Sequence, residues 1–428
     1  MKRLCVIVNV LFVSFSTLPF VELSFAQEAV SVSLEELIKD ALTNNRELAA
    51  AREELQAAKH RVPQSSALPD PTFGYAIMGP DLMTSRGPQE EVYEGEQMIP
   101  FPGKLLEKRK MAAAEVEAAS AKLKSVERDV ILKVSETYYD LYAAQNTIAV
   151  VEEILETLKK FESSAQSRYA SQQGGQRDVA KAQAEVSMTL ERLFVLRQRR
   201  DTLTALLSSL LNRKTPIEQT QISEPSLPEL KISLEDLLSK ARQNRPELLE
   251  AIAMRDKEKH ANSLAKYENA PDISVGFQYT RIGSGETSDP EDGQDAWMIP
   301  LKVTLPLWQN RIGPAVLEAK RNFKASEAKL TQEENMTEYE IKNAYYRFNS
   351  ARQVVELYQN ALIPQSELAF RSDQAGYEAG RVDVINLIDS ENVYLNARIA
   401  YYQAFADALK SFAAIERVIG EDIKEEGL

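Results

Sequence analysis

Cysteine is almost missing from this chain: Cys5 is the single one in 428 residues. That excludes an intramolecular disulfide and any thiolate metal cluster. Histidine is nearly as scarce, with only His60 and His260. No carboxylates gather around either at metal-binding spacing, so no metal site is expected. The nine Met are scattered, which leaves a copper relay without support. There is no Gly-rich phosphate loop, no Ser-His-Asp set and no nucleotide fingerprint, so neither catalysis nor a cofactor is expected. Basic charge is outweighed, 51 Lys and Arg against 64 Asp and Glu, a net charge of -13. Such a balance argues against a nucleic-acid partner. Beyond the N-terminus no apolar run is long enough for a transmembrane helix. Gly and Pro are also few, 16 and 18, which favours long uninterrupted elements.

The N-terminus has the pattern of a signal peptide over residues 1–26. Lys2 and Arg3 precede an apolar run from Leu4 to Phe25, and Ser24-Phe25-Ala26 offers a small-x-small cleavage site. A retained anchor is the competing reading, weakened by Pro19 and Glu22 within the run. Cys5 would leave with the signal.

The remainder of the chain is built on a duplication. Ser33-Leu34-Glu35-Glu36-Leu37 returns as Ser233-Leu234-Glu235-Asp236-Leu237. Ala41, Asn44, Glu47 and Leu48 return as Ala241, Asn244, Glu247 and Leu248, and Tyr138-Tyr139 as Tyr345-Tyr346. Two structural repeats are expected, 27–212 and 233–428, joined by a linker over 213–232 with Pro216, Pro225 and Pro228. Each should open on a Ser-capped helix, ending near Pro63 and near Pro271, then carry short strands, a very long helix and a returning helix. Residues 104–172 predict a rod of roughly 100 Å. Along it Val134, Thr137, Leu141, Ala144, Ile148, Val151, Leu155 and Leu158 alternate spacings of three and four, a coiled-coil seam. The second seam runs through Ile341, Ala344, Phe348, Ala351, Val355, Tyr358 and Leu362, and Pro364 should bend it. Tyr138-Tyr139 and Tyr345-Tyr346 read as helix packing.

The strands bear on the membrane. Ile273, Val275, Phe277 and Tyr279 alternate with polar residues, as do Trp297, Ile299, Leu301 and Val303. Both runs have the period and length of lipid-facing barrel strands, with Gly283 to Asp295 as an outer loop. In the first half Phe73, Tyr75 and Ile77 alternate cleanly, but Glu94 and Glu96 interrupt Val92 to Phe101. Soluble hairpins on a core are the alternative. Four strands cannot close a barrel and open edges are not tolerated in lipid, so the membrane reading requires several chains. Three would supply about twelve strands, a number that pattern alone does not determine.

Signal, duplicated strand-strand-long-helix unit and Gly-bearing turns together resemble the TolC family of outer-membrane efflux proteins. The most specific stretches are Pro69-Asp70-Pro71 with Gln97-Met98-Ile99-Pro100-Phe101-Pro102-Gly103-Lys104, and Tyr377 through Asn386, echoed by Tyr169 through Asp178-Val179. The first is similar to members paired with heavy-metal resistance-nodulation-division pumps. The resemblance implies a mainly α chain with a membrane β-barrel part: long coiled-coil helical hairpins plus four transmembrane strands per protomer, assembled as a homotrimer. It implies a location in the outer membrane, a periplasmic adaptor and an inner-membrane pump as partners, and passive transport as the activity. It also implies a periplasmic gate at Asp178, Tyr377, Arg381, Asp383 and Asn386, the last standing where the family often has a second acid. For Asp178 and Asp383 helix capping remains the competing role. A pore-less periplasmic adaptor or structural protein is the alternative for the whole chain.

Overall fold

The computed structural model describes residues 32–79, 82–214 and 222–423; the expected signal peptide with Cys5, and Pro216 of the linker, lie outside them. Ser33 caps α1 (Leu34–Asn44) through a capping box, its hydroxyl accepting from Glu36 N while the Glu36 carboxylate accepts from Ser33 N. The helix predicted to run on to Pro63 is instead divided. Asn45 is extended, at φ -63° and ψ 132°, and its side chain accepts from Leu48 N at 3.1 Å to start α2 (Arg46–Ser65). Pro63 is carried within the last turn of α2. The short strands β1 (Thr72–Ile77) and β2 (Met83–Thr84) precede the longer β3 (Gly87–Ile99). Then comes the rod α3 (Pro102–Ala170) of 69 residues, and α4 (Gln176–Leu210) returns along it.

The second half repeats this order. Helix α5 (Leu234–Asn244) breaks at Arg245, and α6 (Pro246–Tyr267) begins on a proline whose missing N–H has no helical partner to lose. Strand β4 (Asp272–Ile282) is followed by β5 (Ala296–Met298) and β6 (Leu301–Thr304), two pieces of one strand interrupted at Pro300. The second rod consists of α7 (Gln309–Leu357), a π turn at Tyr358–Leu362 and α8 (Ile363–Glu378); α9 (Val384–Ile419) returns.

All eight residues of the first seam are buried, none above 7% exposed. In the second seam Ile341, Ala344, Phe348 and Val355 are buried, but Leu362 is 38% exposed. Burial resumes at Ser366, Phe370 and Tyr377, one residue later than a strict heptad places it. The π turn is the cause, because it holds one extra residue in a widened loop of backbone. Pro364 has no N–H to give and its ring crowds the preceding turn. The Ile363 N–H accordingly reaches back to Tyr358 O, and the helix passes Pro364 with its buried face reset.

Helices α3, α4 and α9 lie side by side with α7 and α8 against α9, and three apolar clusters run along the seams. The end of the linker is laid onto α3: Ile222 bridges Val32, and Tyr138 Oη donates to Ser223 O at 3.0 Å. Tyr138 is buried while Tyr346 is 60% exposed, and each pairs edge-on with its neighbouring Tyr.

Candidate functional site

The strands form one antiparallel sheet in the order β1-β3-β4-β5, with β6 extending β5 along β4 and β2 paired to β3. Register brings Tyr75 opposite Tyr93, Tyr93 opposite Tyr279, and Tyr279 opposite Trp297. An unbroken aromatic row therefore crosses all four strands on one face, with ring centroids 5.1 Å apart for Tyr75–Tyr93 and 6.4 Å for Tyr93–Tyr279. Below it on the same face lie Phe73, Phe277, Val275 beside Leu301, and Ile273 beside Val303. Phe73 and Ile77 are each 75% exposed, Leu301 and Trp297 67%, and Ile299 63%. Among the described residues nothing covers this face, so the soluble-hairpin reading, which needs a core beneath it, finds none there.

Beyond the row, Glu91 accepts hydrogen bonds from Tyr75 Oη at 3.2 Å and Tyr93 Oη at 2.9 Å, and Arg281 lies 3.4 Å from it. The opposite face is polar. Glu94 and Glu96, which weakened the strand reading of the first half, point there and both pair with Lys302. They interrupt an apolar alternation only when the strand is read without its neighbour; across β4 they are the expected polar set. The outer edges of β1 and of β5–β6 have no strand partner among the described residues.

The Pro-Phe-Pro-Gly-Lys stretch joins sheet to rod. Pro102 occupies the first turn of α3, and buried Lys104 pairs with Asp272 at 2.9 Å. Asp272 also accepts from Phe101 N at 2.8 Å. A Cβ on Gly103 would stand 3.0 Å from the Tyr267 ring, so glycine permits this close approach.

At the far end of the rods, two turns match each other. Gln172 (φ 61°) and Gly380 (φ 70°) both take the left-handed conformation that ends a helix, and Gln173 N and Arg381 N donate back to Arg168 O and Gly376 O. Asp383 caps α9 by accepting from Asn386 N at 3.0 Å, and Asp178 accepts from Gly175 N at 3.3 Å at the start of α4. Tyr377 is 5% exposed and packs edge-on against Phe161. The guanidinium on Tyr377 belongs to Arg168, which donates to Tyr377 O at 2.6 Å and lies 4.3 Å from the ring centroid. Arg381 is exposed and makes no ion pair among the described residues. Arg168 was missed from sequence, because only the packing of α3 against α8 and α9 brings it to Tyr377. Its position beside Tyr169, in the turn that mirrors Tyr377, was the available signal.

Of the two histidines, His60 is exposed and His260 pairs with Glu107 at 2.7 Å. No group of three or more His, Cys, Asp or Glu that could hold a metal occurs among the described residues. No described helix is long and apolar enough to cross a membrane.

Comparison with known proteins agrees with this geometry. The model of the family described as outer membrane efflux protein matches residues 37–213 and 237–421. The chain is 22% identical over 401 residues, 92% of each protein, to the cobalt-zinc-cadmium resistance protein CzcC of Cupriavidus metallidurans. Its fold is similar to that of the outer-membrane channel OprN, at TM-score 0.78 and 19% identity over 91% of this chain and 90% of that one. It is also similar to the Campylobacter jejuni CmeC outer membrane channel, at TM-score 0.77 and 16% identity over 96% and 93%. The reading as a pore-less adaptor is not favoured, and the chain belongs to the outer membrane efflux protein family, as an outer-membrane channel with a long periplasmic helical part.

Proposed function

We propose that three copies of this chain close into one duct, a barrel of about twelve strands continued by a helical tunnel, serving a periplasmic adaptor and an inner-membrane pump. The observation that carries this is the sheet: an aromatic and apolar band crosses one face from edge to edge, and both edges are unpaired among the described residues. Lipid satisfies the face but cannot satisfy the edges, whereas a neighbouring copy can. The lipid-facing set is Ile273, Val275, Phe277, Tyr279, Trp297, Ile299, Leu301 and Val303, with Glu94, Glu96 and Lys302 turned to the lumen. Apolar side chains exposed on the outer helices, Phe194 on α4 and Tyr339 on α7, would be covered by the same closure. Extraction of the membranes tests it. The protein is expected to need detergent and to run on unheated gels as a compact oligomer that heating converts to monomer. Release as a monomer by osmotic shock would end the proposal.

Tyr377, Arg381, Asp383, Asn386 and Asp178 would then form the periplasmic gate. Asp383 would contribute one carboxylate per chain to a ring that attracts cations. Capping and ring are compatible, because the cap engages a single oxygen of Asp383. Asp383→Asn keeps the cap and removes the charge. In planar bilayers this variant is expected to lose cation preference with its fold intact; an unchanged reversal potential would remove Asp383 from the pore lining. The likeness to a cobalt-zinc-cadmium resistance protein supports divalent metal ions as cargo, selected chiefly by the pump. Loss of this chain should sensitise its host to one of those metals, and unaltered tolerance would point to small organic molecules.

A further inference from the structure

The stripe by which α9 enters the seam comprises Val384, Leu387, Ile388, Glu391 and Leu395, all buried. One position in that stripe is a carboxylate. Glu391 is 1% exposed, and neither of its side-chain oxygens has a hydrogen-bond partner among the described residues. On α4 the stripe Ala182, Glu185, Thr189 and Leu193 is likewise interrupted by a buried glutamate. Glu185 differs in being satisfied: Asn392 Nδ2 donates to it at 3.0 Å, and Lys181 lies 3.7 Å away on its own helix. The Glu185–Asn392 bond joins the α3–α4 hairpin to the α8–α9 hairpin within about three turns of the gate end.

We propose that Glu391, next in sequence to the Asn392 that bonds Glu185, is a proton-held latch between the two helical hairpins, closed while Glu391 carries its proton and loosened when that proton passes to bulk water. Burial in an apolar seam disfavours the ionised form, and the Glu185 charge adds to this, so the Glu391 carboxyl is pushed up to about 8. Along this part of the seam α3 contributes Leu158 and Phe161 and α8 contributes Phe370. The half-buried acids nearby on those helices, Glu162, Glu367 and Asp373, have no direct bond to Glu391. A metal ion is a poor alternative, since among the described residues no third ligand of His, Cys, Asp or Glu type is grouped with the pair.

Linkage gives the sign. Glu391 binds its proton more tightly when the seam is closed than when it is open to water. The seam is therefore firmest at acid pH, weakens as pH rises through the range between an ordinary carboxyl and about 8, and changes no further above that. That the latch acts on transport rests on the gate proposed above, so the test has separate arms. Hydrogen exchange of the full-length oligomer in detergent would be measured for peptides covering 176–193 and 384–396. Comparing wild type with Glu391→Gln at each pH cancels the intrinsic pH dependence of exchange. The wild-type opening, relative to the variant, should rise by up to about tenfold per pH unit and level off above about pH 8. Infrared difference spectra should show a protonated carboxylic acid at pH 7 that Glu391→Gln lacks. Glu391→Leu, which fills the seam, should abolish the pH dependence as Glu391→Gln does, and Glu185→Gln should move its upper limit to lower pH. Identical pH profiles in wild type and both Glu391 variants would overturn the latch. Altered exchange with unaltered conductance across that range would uphold the latch and reject its link to the gate.

Discussion

Val275→Arg is expected to keep the protein out of the outer membrane, whereas Ser274→Arg, one residue earlier, is expected to be assembled. The two positions lie at nearly the same height on β4 and on opposite faces of the sheet. Val275 is 40% exposed within the chain and stands on the face that carries Phe277, Tyr279 and, across the ladder, Leu301. A guanidinium on the lipid face near mid-bilayer costs about 2–4 kcal/mol. In the proposed oligomer every copy carries that cost, and a marginally stable fold has little to spare. At position 274 the new charge stands across the ladder from Lys302 but beside Glu96 on the polar face, where water and opposite charge are at hand. The measurement is the fraction of each variant recovered in the outer-membrane pellet as a heat-modifiable species. Equal recovery of Val275→Arg and wild type would mean that this face does not meet lipid.

The second large effect is expected at Arg168. Arg168→Ala should open the periplasmic end, raising single-channel conductance and loosening the α8–α9 turn. The side chain makes a charge-assisted bond to a backbone carbonyl at 2.6 Å and covers the ring of a buried tyrosine. Such a bond is worth about 1.5–3 kcal/mol and the ring contact about 0.5–2 kcal/mol. Losing both should multiply the open population at least tenfold, since about 1.4 kcal/mol suffices for that factor. Arg168→Lys retains the charge without the planar stack and should fall between the two. Arg381→Ala separates the arginines: within the described chain Arg381 makes no ion pair, so an effect there would report a contact with a neighbouring copy. Conductance of Arg168→Ala equal to that of wild type would show that this clamp does not hold the end closed.

Much of the molecule was legible because periodicity is a local property. The seam from Val134 to Leu158 is read at spacings of three and four without knowing its partner, and all of it is buried. The caps at Ser33 and Ser233 were visible for the same reason, since a cap involves residues only three apart. Glu94 and Glu96 were harder. Their side chains make sense only against Lys302, more than two hundred residues away. The one-residue reset at Tyr358–Leu362 was hidden too, because Pro364 announces a disturbance but not whether the helix breaks, bends or widens.

The sequence by itself determined the duplication, the rods, the alternation that makes one face of β4 apolar, and the residue types in both end turns. Each of these arises from interactions between residues close along the chain. Only the tertiary structure decided that four strands share a single aromatic row from Tyr75 to Trp297, that Arg168 rather than Arg381 lies on Tyr377, and that Glu391 is sealed in a seam beside the Asn392–Glu185 bond. Those facts depend on register and on which helix packs beside which. They are settled by burying the most apolar surface while leaving the fewest polar groups unpaired, a condition on the whole chain that no window of sequence contains.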